Sequence, residues 1–129
     1  RVYAVEKKPE ALALLEENRR RFHTANVEIV AGAAPEACRS LPAPTHAFSG
    51  CSAGNLLEIV ELLPEKSPKV RITAAAVSLE TAAELTAIGN GIFAGDYAAS
   101  CITVARDRRA GRYHLMAGQN PVYLFTFQR

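Results

Sequence analysis

The 129-residue sequence has no apolar run long enough to span a bilayer. Its densest apolar stretch, Leu56 to Leu63, is broken by Glu58 and Glu61, and no export signal is visible. Cysteine is scarce. Cys38, Cys51 and Cys101 are odd in number and form no Cys-x-x-Cys pair, so neither a disulfide framework nor a zinc site is expected. These absences predict a cytoplasmic protein with reduced thiols, no metal and no membrane association. An excess of one charge is lacking too: 15 Lys plus Arg stand against 13 Asp plus Glu, a formal +2. That balance is too mild for a dedicated nucleic-acid binder, so no nucleic-acid partner is expected. No linker, internal repeat or low-complexity stretch is visible. The chain opens on Arg1-Val2-Tyr3 without an initiator Met, which reads as a processed end or a cut boundary.

Hydrophobic residues make up 49% and charged residues 22%, ordinary usage for one globular domain over residues 1–129 with a single core. Short β-type runs alternate with helical stretches, the pattern of an α/β sheet built from crossover units. Val2 to Val5 reads as a buried strand ending at Glu6. Pro9 and Glu10 open a helix that turns Leu12, Leu15 and Phe22 inward and ends on Arg19, Arg20 and Arg21. The Arg run looks like an RNA-binding tract, yet it also complements the negative end of the helix. Val27 to Ala31 is a second strand, stopping at Gly32. A short helix starts at Pro35-Glu36-Ala37 and is closed by Pro42 and Pro44. Thr45 to Ser49 is a third strand, and Leu56, Ile59, Val60 and Leu63 fall at i, i+3, i+4 and i+7, an amphipathic helix. Val70 to Val77 is a fourth strand. Ser78 can cap a helix running through Leu85 toward Gly89 and Gly91. Tyr97 to Ala105 and Pro121 to Phe127 are further strands, joined antiparallel by a loop from Arg106 to Asn120.

Ligands of open α/β sheets bind beyond the C-terminal ends of the strands. Glu6, Gly32 to Pro35, Gly50 to Asn55 and Val77 to Glu80 stand there. An acidic residue after an apolar strand can accept both hydroxyls of a ribose; the plainer reading is a solvated carboxylate pairing with Lys7 or Lys8. Gly50-Cys51-Ser52-Ala53-Gly54-Asn55 links a strand to a helix. Its small residues let a ligand approach the backbone, or serve the turn alone. It lacks the Gly-Lys-Ser/Thr ending of a triphosphate-binding loop. Cys51 at a helix start could be a nucleophile, but only His46, on the preceding strand, is near in sequence. His23 and His114 read as a surface residue and a structural hydrogen-bonder. Arg106, Arg108, Arg109 and Arg112, followed by Tyr113, could clamp carboxylates, lie solvated, or form an oligomer contact.

Several segments, in order and at compatible spacing, resemble one family across nearly the whole chain. They are Val2-Tyr3-Ala4-Val5-Glu6-Lys7-Lys8-Pro9-Glu10-Ala11, Gly32-Ala33-Ala34-Pro35-Glu36-Ala37, Gly50 to Leu56, Val77-Ser78-Leu79-Glu80-Thr81, and Gly111 to His114 with Asn120 to Tyr123. The resemblance is to the decarboxylating precorrin-6Y C5,15-methyltransferases of cobalamin biosynthesis, in their C15-methylating domain. It implies a class I S-adenosylmethionine-dependent methyltransferase: a mostly parallel, Rossmann-like sheet with an antiparallel last strand. The implied reaction methylates a precorrin at C15 and decarboxylates its C12 acetate.

The resemblance further implies that Glu6 binds the cofactor ribose and that Gly32 and Ala33 border the adenine. Gly50 would lie in the cofactor cleft, with Cys51, Ser52 and Asn55 toward the tetrapyrrole. Arg112 would lie toward substrate or a neighbouring subunit of a homo-oligomer, in this family a tetramer. Positioning drives such a transfer, so no catalytic side chain is implied. The sequence departs from the family with Cys51 in place of Gly, Ala33 in place of a frequent Asp, and Gly89-Asn90-Gly91 where the helix after Leu85 is expected to be cut short. The family's first strand, its Gly-rich turn and the following helix are expected before Tyr3 and are not in this sequence. That absence predicts no useful cofactor binding by these residues alone. The alternative reading is a self-associating, non-catalytic α/β module derived from the family.

Overall fold

The apolar run after Arg1 forms the first strand, β1 (Val2–Glu6), in a computed structural model that describes residues 1–50 and 54–128. The chain divides into two units, Arg1–Ala43 and Pro44–Arg129. In the first, β1 is followed by α1 (Pro9–Arg21), β2 (Val27–Ala31) and a single turn, α2 (Glu36–Arg39). β1 and β2 pair in parallel, from Val2 opposite Val27 to Glu6 opposite Ala31. Pro9 and Glu10 occupy the first turn of α1 and Arg19, Arg20 and Arg21 its last, a charge order that suits the helix dipole. Leu12 and Leu15 are half-buried.

The second unit runs β3 (His46–Gly50), α3 (Leu56–Lys66), β4 (Arg71–Ala76), α4 (Leu79–Ile92), β5 (Tyr97–Ile102), β6 (Ala105–Ala110), β7 (Tyr113–Gly118) and β8 (Val122–Phe127). Its main sheet has the order β3-β4-β8-β5. β3 and β4 are parallel; β8 is antiparallel to both β4 and β5, so the last strand runs as expected. The core collects on one face of this sheet. Ile72, Ala74 and Ala76 of β4 and Phe125 and Phe127 of β8 alternate inward at a period of two residues. The apolar stripe of α3 (Leu56, Val60, Leu63) and Leu85 and Ile88 of α4 belong to the same cluster. Phe93 stacks on Phe127 with ring centroids 4.9 Å apart. Ser78 caps α4, its Oγ accepting the Thr81 backbone N–H at 3.1 Å.

Several expectations need correction. Residues 106–120 do not form a loop. β6 and β7 pair antiparallel in register, Ala110 opposite Tyr113, across the two-residue turn Gly111-Arg112. Gly111 has φ 61 at the first central position, which type II′ hairpins give to glycine. The expected strand from Tyr97 to Ala105 accordingly splits at Ile102. Helix α4 is not cut short at Gly89-Asn90-Gly91 but continues to Ile92. The reason is steric: a Cβ on Gly89 would stand 2.5 Å from Tyr97 Cδ1, so glycine admits the ring against the helix. Phe22 is 67% exposed rather than inward, because α1 stops at Arg21 and His23, at φ 53, turns the chain toward β2. α2 ends at Arg39, before either proline. Among the described residues no helix is long and apolar enough to cross a membrane.

Candidate functional site

The site begins where β1 and β2 end together. Parallel pairing brings Glu6 to the same level as Ala31, and the Gly32 N–H donates to the Glu6 carbonyl oxygen at 2.9 Å. The Glu6 side chain turns onto its own chain. The backbone N–H groups of Lys7 and Lys8 donate to its Oε1 at 2.8 and 2.9 Å. Those two bonds, Lys8 first and then Lys7, hold the carboxyl below the usual carboxylate range, and burial opposes them weakly. These two bonds make the carboxylate a fixed, ionised acceptor.

Gly32 follows at φ 151, a backbone region that side chains rarely adopt. A Cβ there would stand 2.9 Å from that of Ala37, so the missing side chain lets α2 approach the end of β2 closely. Ala33 is exposed, and its carbonyl accepts the Ala37 N–H at 2.9 Å. Glu6, Gly32 and Ala33, separated in sequence by 26 and 27 positions, are thus gathered at one end of one parallel strand pair.

Gly50 is the last residue of β3, opposite Ala75 of β4. Asn55 immediately precedes α3, its carbonyl accepting the Ile59 N–H at 3.1 Å. Both stand at the C-terminal end of the parallel β3–β4 pair, where open α/β sheets bind ligands. Cys51 and Ser52 lie outside the described residues. Val77 and Leu79, flanking the cap residue Ser78 at the same end of β4, are 53% and 75% exposed.

Arg112 occupies the hairpin turn, its Nη2 donating to the Tyr113 hydroxyl at 2.7 Å. The pairing register of the hairpin sorts its side chains. Arg106, Arg108 and Ala110 share one face with Tyr113, Leu115 and Ala117. Asp107 and Arg109 share the other with His114 and Met116. His114 Nδ1 donates to Asp107 Oδ2 at 2.9 Å. No sequence signal marked this pair, because it exists only once the two-residue turn sets the register. Of the Arg19 to Arg21 run, Arg19 pairs with Glu16 at 2.9 Å and Arg21 stands 5.8 Å from the centre of the Phe22 ring, as a helix-end cluster does. Among the described residues no group of His, Cys, Asp and Glu is arranged to hold a metal ion.

With this geometry established, residues 1–129 match the profile of the precorrin methyltransferase domain family. The chain belongs to that family. A probable cobalt-precorrin-6B C(15)-methyltransferase (decarboxylating) from Pyrobaculum calidifontis is 40% identical over 129 residues, covering 98% of this chain and 65% of that protein. The chain therefore spans about two thirds of the length of this curated relative. A crystal structure of precorrin 8w decarboxylase from Methanobacterium thermoautotrophicum superposes with a TM-score of 0.88 at 34% identity, covering all of this chain and 70% of that one. Precorrin-6y C5,15-methyltransferase from Geobacter metallireducens gives 0.86 at 29% identity, with 100% and 68% covered. The mixed α/β arrangement, with its last strand antiparallel, is thus the Rossmann-like arrangement of these precorrin methyltransferases.

Proposed function

We propose that this chain forms the ribose- and substrate-binding part of an S-adenosylmethionine-dependent enzyme that methylates a precorrin at C15 and decarboxylates its C12 acetate in cobalamin biosynthesis. The observation that carries the reading is the Glu6 carboxylate, held ionised at the end of a parallel strand beside a side-chain-free Gly32. An acceptor-only group fixed in this way suits two adjacent ribose hydroxyls, both of which must donate. The exposed, small Ala33 beside Gly32 offers the flat adenine a border in this reading. The cofactor supplies an electrophilic methyl group on sulfur when bound. The protein holds donor and acceptor carbon in line and excludes water, and such positioning can supply about 7–11 kcal/mol of the barrier.

Gly50 borders the cofactor in this reading, Cys51, Ser52 and Asn55 serve the tetrapyrrole, and Arg112 binds its carboxylates through the planar guanidinium fork. The exposed hairpin face carrying Tyr113 and Leu115 packs against a second copy, in a homo-oligomer. The names of the relatives and the resemblance of the strand-end segments support this reading over that of a non-catalytic module.

The test is calorimetric titration of the natural-length protein with S-adenosylhomocysteine. Glu6→Gln keeps an oxygen for the Lys7 and Lys8 N–H groups but loses the charge. Affinity is expected to fall roughly ten- to a hundredfold, the worth of a hydrogen bond to a charged group. Unchanged affinity overturns the assignment.

A further inference from the structure

The proposed reaction removes carbon dioxide from an acetate side chain, and the carbon left behind must receive a proton. The reading above assigns no group to that proton. Three histidines are present, His23, His46 and His114. His46 Nδ1 stands 3.2 Å from the neighbouring Thr45 hydroxyl, and His23 lies in the turn after α1. Among the described residues only His114 is paired with a carboxylate.

We propose that His114, oriented by Asp107 and flanked by Arg109, delivers the proton that completes decarboxylation of the substrate acetate. The inference rests on the methylation and decarboxylation reading and adds a residue to it. Asp107 accepts only, so the 2.9 Å contact makes His114 Nδ1 the donor and leaves Nε2 as the nitrogen that meets substrate. Both side chains are about two-thirds exposed, at 67% and 66%, so an ion pair here adds little to stability. Its value lies in fixing the ring.

Arg109 stands directly opposite His114 in the ladder, on the same face, and its Nε donates to the Gly111 carbonyl at 3.3 Å. The remaining guanidinium N–H groups can grip a carboxylate. The carboxylate that leaves is not that one, because an ion pair stabilises it against loss. A tetrapyrrole carries acetate and propionate groups around its rim, so Arg109 holds one carboxylate while a neighbouring acetate meets Nε2. Met116, 69% exposed on this face, offers apolar surface to the macrocycle. In the step itself, the bond between the acetate methylene and the carboxyl carbon breaks and carbon dioxide departs. The electron pair stays on the methylene carbon, conjugated with the ring. The His114 imidazolium transfers its Nε2 proton to that carbon, forming a methyl group, and the neutral imidazole regains a proton from solvent.

The test follows both products of the natural-length protein with its precorrin substrate and cofactor: S-adenosylhomocysteine for methyl transfer, carbon dioxide for decarboxylation. His114→Gln is expected to lower carbon dioxide release at least about a hundredfold, the worth of a general acid, with methyl transfer within a few-fold of normal. Asp107→Asn keeps a hydrogen-bond acceptor but loses its charge. It is expected to lower carbon dioxide release several-fold with methyl transfer little changed, since a neutral amide no longer fixes the ring and its tautomer as the carboxylate does. Arg109→Ala is expected to raise KM with little change in kcat. Normal carbon dioxide release by His114→Gln, or by Asp107→Asn, overturns the inference. Absence of methyl transfer by the unaltered protein overturns the reading it rests on, and the inference with it.

Discussion

Glu6 shows how two backbone amides fix the orientation and charge of a single side chain. The Lys8 and Lys7 N–H groups stabilise its charged form, so the folded protein binds this proton less tightly than the unfolded chain. The sign follows. The stabilisation is fully present above the ordinary carboxylate range and is lost as pH falls through the lowered folded value. Affinity for S-adenosylhomocysteine is therefore expected to stay level from neutral pH down through the usual carboxylate range and to fall only below it. Calorimetric titrations at a series of pH values check this; a midpoint at or above the ordinary carboxylate value contradicts it. The strand-end position of Glu6 was legible from the apolar run that precedes it. Its partners were not, because any residue type can supply a backbone N–H.

The helix α4 and the β6–β7 hairpin were the hardest elements to read, for opposite reasons. Gly89-Asn90-Gly91 suggests a helix end, since glycine and asparagine weaken a helix interior. The helix continues because Tyr97 packs where a Gly89 side chain would stand. Gly89→Ala is expected to lower stability despite its better helix propensity. The overpacking costs about 1–3 kcal/mol against a propensity gain of about 1 kcal/mol. A Cβ on Gly91 meets nothing within 4 Å, so Gly91→Ala is expected to raise stability by up to about 1 kcal/mol. Thermal denaturation of both variants checks the pair, and equal shifts would refute the steric account. The hairpin hid for a different reason. Arg106, Asp107, Arg108 and Arg109 carry no apolar alternation, since neither face of the hairpin belongs to the core. A strand is recognised in sequence by the face it buries, and these strands bury almost nothing.

At the scale of the whole molecule, a two-stranded hairpin with Tyr113 57% and Leu115 49% exposed is marginal by itself in water. In the proposed homo-oligomer, a second copy covering that face would supply the missing burial. Leu115→Glu is expected to reduce the oligomer to single-chain mass in light scattering, whereas Glu58→Gln, on the exposed side of α3, is expected to leave it unchanged. A single-chain mass for the unaltered protein refutes the oligomer. The order of strands and helices up to β4, the capping of α4 by Ser78 and the strand-end positions of Glu6, Gly32 and Gly50 were all determined by the sequence itself. They rest on local periodicity, proline and glycine geometry, and the apolar face each element hides. Tertiary structure alone decided the place of β8 between β4 and β5, the contact of Tyr97 with Gly89, and the alignment of Asp107, Arg109 and His114. Each depends on a register between residues distant in the chain, and such a register leaves no mark on the composition of either partner.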